Sequence, residues 1–284
     1  MTKIIKKIKK AVARRLPENI KGALRPFVRA VIRNGNPAIP AEELKVFDLL
    51  KADFKTVFDI GAREDLSFYE LKKDCSYYLF EPHTAAIALL KQKIASLEKP
   101  DITLNEFGLS DENKDDCVYY EDSQSFAPNP FHKNIDKGQR YSLRPLDGYV
   151  EQHGIMHIDF LKIDAEGFDY KIIKGGIYTI TTKVDYIQFE YWDGVQKFVD
   201  MLSDVFQLYL MMEPQLLEAI TEDLFDSLTE SQKSKVYTLS VIPLDADLID
   251  LIDRVLIPAG CGGNILGVNK NIPVSHIDAI VFPI

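Results

Sequence analysis

The chain has 284 residues, 46% apolar and 27% charged, enough for one large α/β domain with a full core plus an appendage. Its net charge of −9 divides unevenly, because residues 1–35 hold six Lys and five Arg against Glu18 alone, a balance of +10 that leaves −19 on the rest. An acidic body repels nucleic acid, no run of about eighteen apolar residues exists to span a bilayer, and the scattered Cys75, Cys117 and Cys261 argue against a disulfide framework or a zinc site. Free thiols fit a reducing cytoplasm. No apolar core and cleavage site follow the basic start, so no signal peptide is expected.

Residues 3–16 place Ile4, Ile5, Ile8, Val12 and Leu16 on one helical face, with Lys and Arg filling the rest. A second amphipathic piece follows with Ile20, Leu24, Phe27, Val28 and Val31, interrupted by Pro26. A basic amphipathic helix suits the anionic inner face of a membrane. Docking on its own domain, or on a second copy in a homo-oligomer, is the other reading, and both stay open. Asn34 to Pro40 reads as a linker, which divides the chain into an extension, 1–40, and a domain, 41–284.

A short helix is expected over Ala41–Lys51. Thr56-Val57-Phe58-Asp59-Ile60 is an apolar run that stops at Gly61-Ala62, a buried parallel strand ending in a tight turn. A helix then starts near Glu64 or Asp65. Tyr77–Phe80 is a second strand closing on Glu81-Pro82, where doubly wound sheets hold the ribose of a bound nucleoside. A carboxylate suits that place because it accepts hydrogen bonds from both hydroxyls of a diol.

A helix over 83–98, a third strand over 101–107, a turn over 108–113 and an extra strand around Cys117–Tyr120 come next. Residues 121–142 show no period and read as a loop whose Phe126, Phe131 and Tyr141 could line a substrate mouth. Asp159–Ile163 is a fourth strand ending in Asp164-Ala165-Glu166-Gly167, with a helix to Lys174 after it. A fifth strand, 184–190, ends in Glu190; helix 194–204 and strand 206–211 follow. Residues 213–257 have a mostly helical pattern, and Asn264–Val268 reads as a final antiparallel edge strand. The whole is a doubly wound, mostly parallel, Rossmann-like α/β sheet with helices on both faces. The first loop lacks Gly-x-Gly-x-x-Gly, which argues against an NAD-dependent oxidoreductase.

The motifs Asp59-Ile60-Gly61-Ala62-Arg63, Phe80-Glu81-Pro82, Gly108-Leu109-Ser110-Asp111, Ser142-Leu143-x-x-Leu146-Asp147, Leu161-Lys162-Ile163-Asp164-Ala165-Glu166-Gly167-Phe168 and Lys174-Gly175-Gly176 resemble the FkbM-type methyltransferases. The resemblance runs from about Val57 to Tyr191. It implies a class I enzyme that uses S-adenosylmethionine, often on hydroxyls of sugars or natural products. It further implies that Asp59, Gly61, Ala62 and Arg63 surround the methionine end of the cofactor, that Glu81 holds the ribose, and that Phe107 and Gly108 sit near the adenine.

Asp164 and Glu166, with Glu190 as a further candidate, would face the transferred methyl and take a proton from a small-molecule or glycan hydroxyl. Their oxygens also suit a hard cation, but no histidine stands beside them in sequence, and no metal is expected. His83, His132, His153 and His157 are scattered and read as surface or core residues. The family loop usually carries a further glycine where this chain has Glu64 and Asp65, and Arg63 has the charge to pair with either, or with the cofactor carboxylate. The same acidic pair motivates a second reading, a non-catalytic binding or membrane-associated protein that keeps the fold.

Overall fold

The computed structural model describes residues 42–50, 52–118, 139–211, 229, 241–259 and 262–277. The expected basic extension, the loop residues Phe126 and Phe131, most of 213–240 and Cys261 lie outside these. Eleven strands are found among the described residues: β1 (Thr56–Ile60), β2 (Ser76–Phe80), β3 (Ile102–Asn105), β4 (Gly108–Leu109), β5 (Lys114–Val118), β6 (Arg140–Arg144), β7 (Ile158–Ile163), β8 (Val184–Tyr191), β9 (Phe206–Met211), β10 (Val241–Pro243) and β11 (Gly263–Asn269). The helices are α1 (Glu42–Leu49), α2 (Ser67–Leu71), α3 (Thr84–Ala95), α4 (Leu146–Gln152), α5 (Asp169–Gly175), α6 (Ile177–Lys183), α7 (Gln196–Leu202) and α8 (Ala246–Leu251).

Eight strands form one sheet in the order β10-β9-β11-β8-β7-β1-β2-β3, and β4-β6-β5 form a small second sheet. The run from β3 through β8 is parallel. β11 runs antiparallel to both β8 and β9. It is therefore an interior strand, not the edge its place near the chain end suggests. Its Ile265 and Leu266 are fully buried, one on each face, as a two-sided interior strand requires.

Alternation along the strands sorts two cores. Phe58, Ile60, Leu161, Ile163, Ile187 and Phe189 pack with α4 to α8 on one face. Val57, Phe160, Tyr186 and Leu266 pack with α1, α2 and α3 on the other. There Phe47, Phe54 and Phe68 surround Phe160, with ring centroids 4.8–6.0 Å from it.

Several elements depart from their sequence patterns. α2 begins at Ser67, later than Glu64 or Asp65, because the Asp65 carboxylate accepts from the Ser67 N–H (3.0 Å) and hydroxyl (2.6 Å) and so caps the helix from outside. Residues 140–142, expected as loop, belong to β6, and Val241–Pro243, expected as helical, pair with β9. α6 has a strand-like composition, rich in Thr and Ile, yet it is helical. Asp147 of α4 accepts from the N–H groups of Tyr178 (3.2 Å) and Thr179 (2.7 Å) and so caps it. The Thr181 and Thr182 hydroxyls bond back to the carbonyls of Ile177 (2.7 Å) and Tyr178 (2.6 Å). The Asp147 cap and the burial of Thr179 and Ile180 outweigh the weak propensity of a seven-residue segment.

Two of the motifs are packing partners. A β-carbon on Gly175 would lie 1.9 Å from the Ser110 carbonyl oxygen, so only glycine lets α5 close on the turn after β4. Beside it Lys174 donates to Asp111 at 2.8 Å, which holds the Asp111 carboxyl below the usual range.

Candidate active site

The strand order reverses between β1 and β7, with β2 on one side and β8 on the other. Open α/β sheets place their ligands above the carboxyl ends of the strands at such a point. A narrow, partly open cleft lies there, with an enclosed volume of about 50 Å³. Its wall includes Gly61, Arg63, Glu81, Gly108, Asp164 and Glu166, over an apolar floor of Ile60, Phe80, Phe168 and Ile172.

Glu81 is buried, at 3% exposure. Its Oε2 accepts from the Arg63 N–H (2.8 Å) and its Oε1 from the His83 N–H (2.7 Å). Burial nevertheless pushes the carboxyl above its usual value. Each oxygen keeps a second lone pair, and these can meet a vicinal diol.

Gly61 has φ +78°, and a β-carbon there would lie 1.8 Å from the Asp164 carbonyl oxygen. The glycine thus serves the close crossing of the β1 and β7 ends, where the Asp164 N–H also donates to Ile60 O at 3.0 Å. Arg63 and Glu166 both take positive φ, 51° and 50°. Positive φ is uncommon for non-glycine residues and concentrates where structure over-determines the backbone. Their side chains meet at 3.8 Å. Arg63 is therefore directed at Glu166, not at Glu64 or Asp65 as its position in sequence suggests.

A sequence model described as the methyltransferase FkbM domain matches residues 59–212. The chain belongs to this family. It is 25% identical over 177 residues to the 2-O-methyltransferase NoeI of Sinorhizobium fredii (strain NBRC 101917 / NGR234), which covers 54% of this chain and 72% of that protein. The crystal structure of methyltransferase FkbM from Methylobacillus flagellatus KT overlaps at a TM-score of 0.41 and 14% identity, over 72% of this chain and 54% of that one. The chain thus spans about half the length of that protein. The N-terminal domain of human METTL16 overlaps at a TM-score of 0.35 and 12% identity, over 66% of this chain and 75% of that one. The fold assignment, a class I methyltransferase sheet, rests on the family match and on the strand order itself.

In this FkbM methyltransferase four of the expected residues stand away from the cleft wall. Asp59 alternates with Ile60 and so points to the α1 face, where Lys162 lies 3.2 Å from it. Ala62 is buried in the core under α2. Phe107 packs edge-on against Phe80 (5.8 Å) and lines a separate hollow with Tyr149 and His153. Glu190 lies on the same face as Gln188, away from the cleft floor, and accepts from the Trp192 indole N–H at 2.8 Å. The acids at Glu64 and Asp65 are exposed and are not among the residues of the cleft wall.

Three residues that no motif role had suggested join this region. Lys162 is buried at 6% exposure and stands 3.5 Å from Asp164 as well as beside Asp59. Glu43 of α1 reaches the same cluster, where burial pushes its carboxyl up to about 7 against the pull of Lys162. Asp169, 1% exposed, accepts from the Glu190 N–H at 3.1 Å and so ties α5 to the end of β8. A signal for Lys162 existed: a charge inside an otherwise apolar strand demands a partner. Glu43 and Asp169 carried no such signal.

Burial, then the nearby Asp164, raises Glu190 to about 8; burial is also the main reason that Asp169 sits at about 7. A carboxyl raised on folding binds more protons in the native state. Its contribution is thus fully present below the unfolded value of ~4 and is lost as pH climbs through the folded one. Asp169→Asn keeps the oxygen that accepts from Glu190 and removes the titration. Its urea midpoint relative to wild type is expected to rise between pH 5 and pH 8; a constant difference would show that Asp169 is ionised throughout.

Proposed function

We propose that this FkbM methyltransferase moves the methyl group of S-adenosylmethionine to a hydroxyl of a sugar, a polysaccharide precursor or a natural product. The observation that carries this is Glu81, a buried carboxylate fixed by two backbone N–H groups at the end of β2, with lone pairs left for a ribose. Gly61 and the Arg63 backbone border the same cleft, and Gly108 closes it where an adenine would lie. The residues present fit the cofactor, since a buried acid, a glycine turn and an apolar floor line the cleft and Glu64 and Asp65 stand outside its wall. The same fact weakens the reading of a binding protein without chemistry. When bound, S-adenosylmethionine supplies an electrophilic sulfonium methyl.

The chain's own work is then to orient a hydroxyl and remove its proton. Asp164 and Glu166 border the cleft. Asp164 lies 3.5 Å from the buried Lys162, whereas Glu166 meets only the more exposed Arg63 at 3.8 Å, and Glu166 is the acid we assign to take the proton. Burial raises its carboxyl, and Arg63 offsets part of that rise. The relative NoeI is named a 2-O-methyltransferase, which supports oxygen as the accepting atom.

The test is calorimetric titration with S-adenosylhomocysteine and, as a control, NAD. Binding of the first alone is expected. Glu81→Ala should weaken it ~30- to 100-fold, the loss of about one charged hydrogen bond; unchanged affinity would mean that the ribose lies elsewhere. Among the described residues no helix is long and apolar enough to cross a membrane. We further propose that residues 1–35 bring the enzyme to anionic lipid. Removing them should abolish sedimentation with phosphatidylserine vesicles, and high salt should do the same to the whole chain. If the whole chain ignores such vesicles, docking on protein is the better account.

A further inference from the structure

At the end of the sheet opposite the cleft, three side chains converge on one point. His157 immediately precedes β7, Asp159 is its second residue, and Asp185 is the second residue of β8. Ile158 pairs with Val184 and Phe160 with Tyr186, so the two aspartates stand side by side on neighbouring strands. Like charges so placed repel. His157 Nε2 lies between them, 3.0 Å from Asp185 Oδ2 and 3.5 Å from Asp159 Oδ1. One ring nitrogen offers one N–H, which satisfies one carboxylate and leaves the other facing it.

From this geometry we infer that His157, Asp159 and Asp185 form a binding site for a divalent transition ion such as zinc. Nitrogen and oxygen ligands ~2.0–2.1 Å from zinc in a tetrahedron lie ~3.3 Å from one another. Two of the three ligand separations, 3.0 and 3.5 Å, bracket that value, and all three atoms fall within 4.8 Å of one another. One imidazole and two carboxylates are a donor set that suits zinc, and a cation at their centre neutralises both aspartates at once.

The ligands are braced from behind. The second oxygen of Asp159 accepts from the backbone N–H groups of Lys55 (2.9 Å) and Thr56 (2.7 Å), which fixes its free oxygen toward the site. The imidazole is half exposed, so solvent reaches the fourth position. Asp159 and Asp164 are five residues apart on or just past one strand, ~16 Å. The ion therefore takes no part in methyl transfer. It clamps the starts of β7 and β8 and ties them, through Asp159, to the start of β1.

The experiment uses the full chain, free of any polyhistidine tag, stripped with EDTA and titrated with zinc chloride. One site of micromolar affinity or better is expected, together with a thermal midpoint that rises on adding zinc. His157→Ala and Asp185→Asn should each weaken binding at least 100-fold and abolish that rise. Asp164→Asn, at the opposite end of the sheet, should leave both intact. Affinity weaker than about 1 mM, or zinc binding unchanged in His157→Ala and Asp185→Asn, would overturn the site. Titration of S-adenosylhomocysteine should be the same with and without zinc, so failure here leaves the methyltransferase reading standing.

Discussion

Replacing Lys162 with methionine is expected to lower the unfolding free energy by about 3–5 kcal/mol, the range for removing one partner of a buried ion pair. Lys162 is 6% exposed. Its ammonium lies 3.2 Å from Asp59, 3.5 Å from Asp164 and 3.3 Å from the Gly61 carbonyl. Burial alone would depress its pKa, but Asp59, Asp164 and Glu43 outweigh that and hold it above the ordinary lysine value. Without the ammonium, Asp59 and Asp164 face each other across β1 and β7 with nothing between them. The double variant Lys162→Met with Asp59→Asn should recover part of the loss, because it removes a stranded charge. Urea unfolding at pH 7.5 measures both; a single-variant cost under about 1 kcal/mol would show that the cluster is hydrated and weakly coupled.

Replacing Glu166 with glutamine is expected to reduce the turnover number for methyl transfer by ~10²–10⁴-fold, the usual contribution of a positioned general base. Affinity for S-adenosylhomocysteine should change little, because glutamine keeps the shape of the wall. Glu166 reaches its place through a backbone at φ +50°, directly before Gly167 at φ +89°. That pair of left-handed residues turns the chain back after β7 and aims the carboxylate at the cleft. Burial raises its carboxyl, so the wild-type rate should climb with pH as it ionises, and that limb should vanish in the variant. Transfer of radiolabelled methyl to the best acceptor from a panel of mono- and oligosaccharides is the measurement. If the variant keeps its rate, Glu166 is not the base and the proton leaves by way of Asp164.

The strands that carry the cleft were legible in the sequence because their residues are apolar, β-branched or aromatic and stop at glycine or an acid. β1, β2, β7 and β8 need no partner to announce them. The small sheet was harder to see. β5 reads Lys-Asp-Asp-Cys-Val and exposes its first three residues, so no alternation marks it. α4 carries Gly148 in its middle, and α6 has the composition of a strand. Each is held by contacts from elsewhere, as Asp147 holds α6.

Glu81, Gly61, Asp164 and Glu166 could be picked out from sequence because each sits at a strand end, where direction matters less than position. Asp59 and Glu190 can also be picked out at strand ends, yet both lie away from the cleft wall, beside Lys162 and Trp192. A one-residue step along a strand moves a side chain to the opposite face. Which face carries the cleft depends on the helices that cover it. Only the placement of α1 over one side and α5 over the other settles that Ile60 looks into the cleft while Asp59 looks toward Lys162.

By itself, then, the order of residues determined a parallel sheet with a glycine turn after β1 and an acid after β2, since hydrophobic periodicity and backbone sterics are local properties. The tertiary structure decided which acids share a cation, which face the cleft, and that β11 lies inside the sheet. Those outcomes depend on residues about 70 to 100 positions apart in the chain being brought within a few ångströms, and no local pattern encodes such a distance.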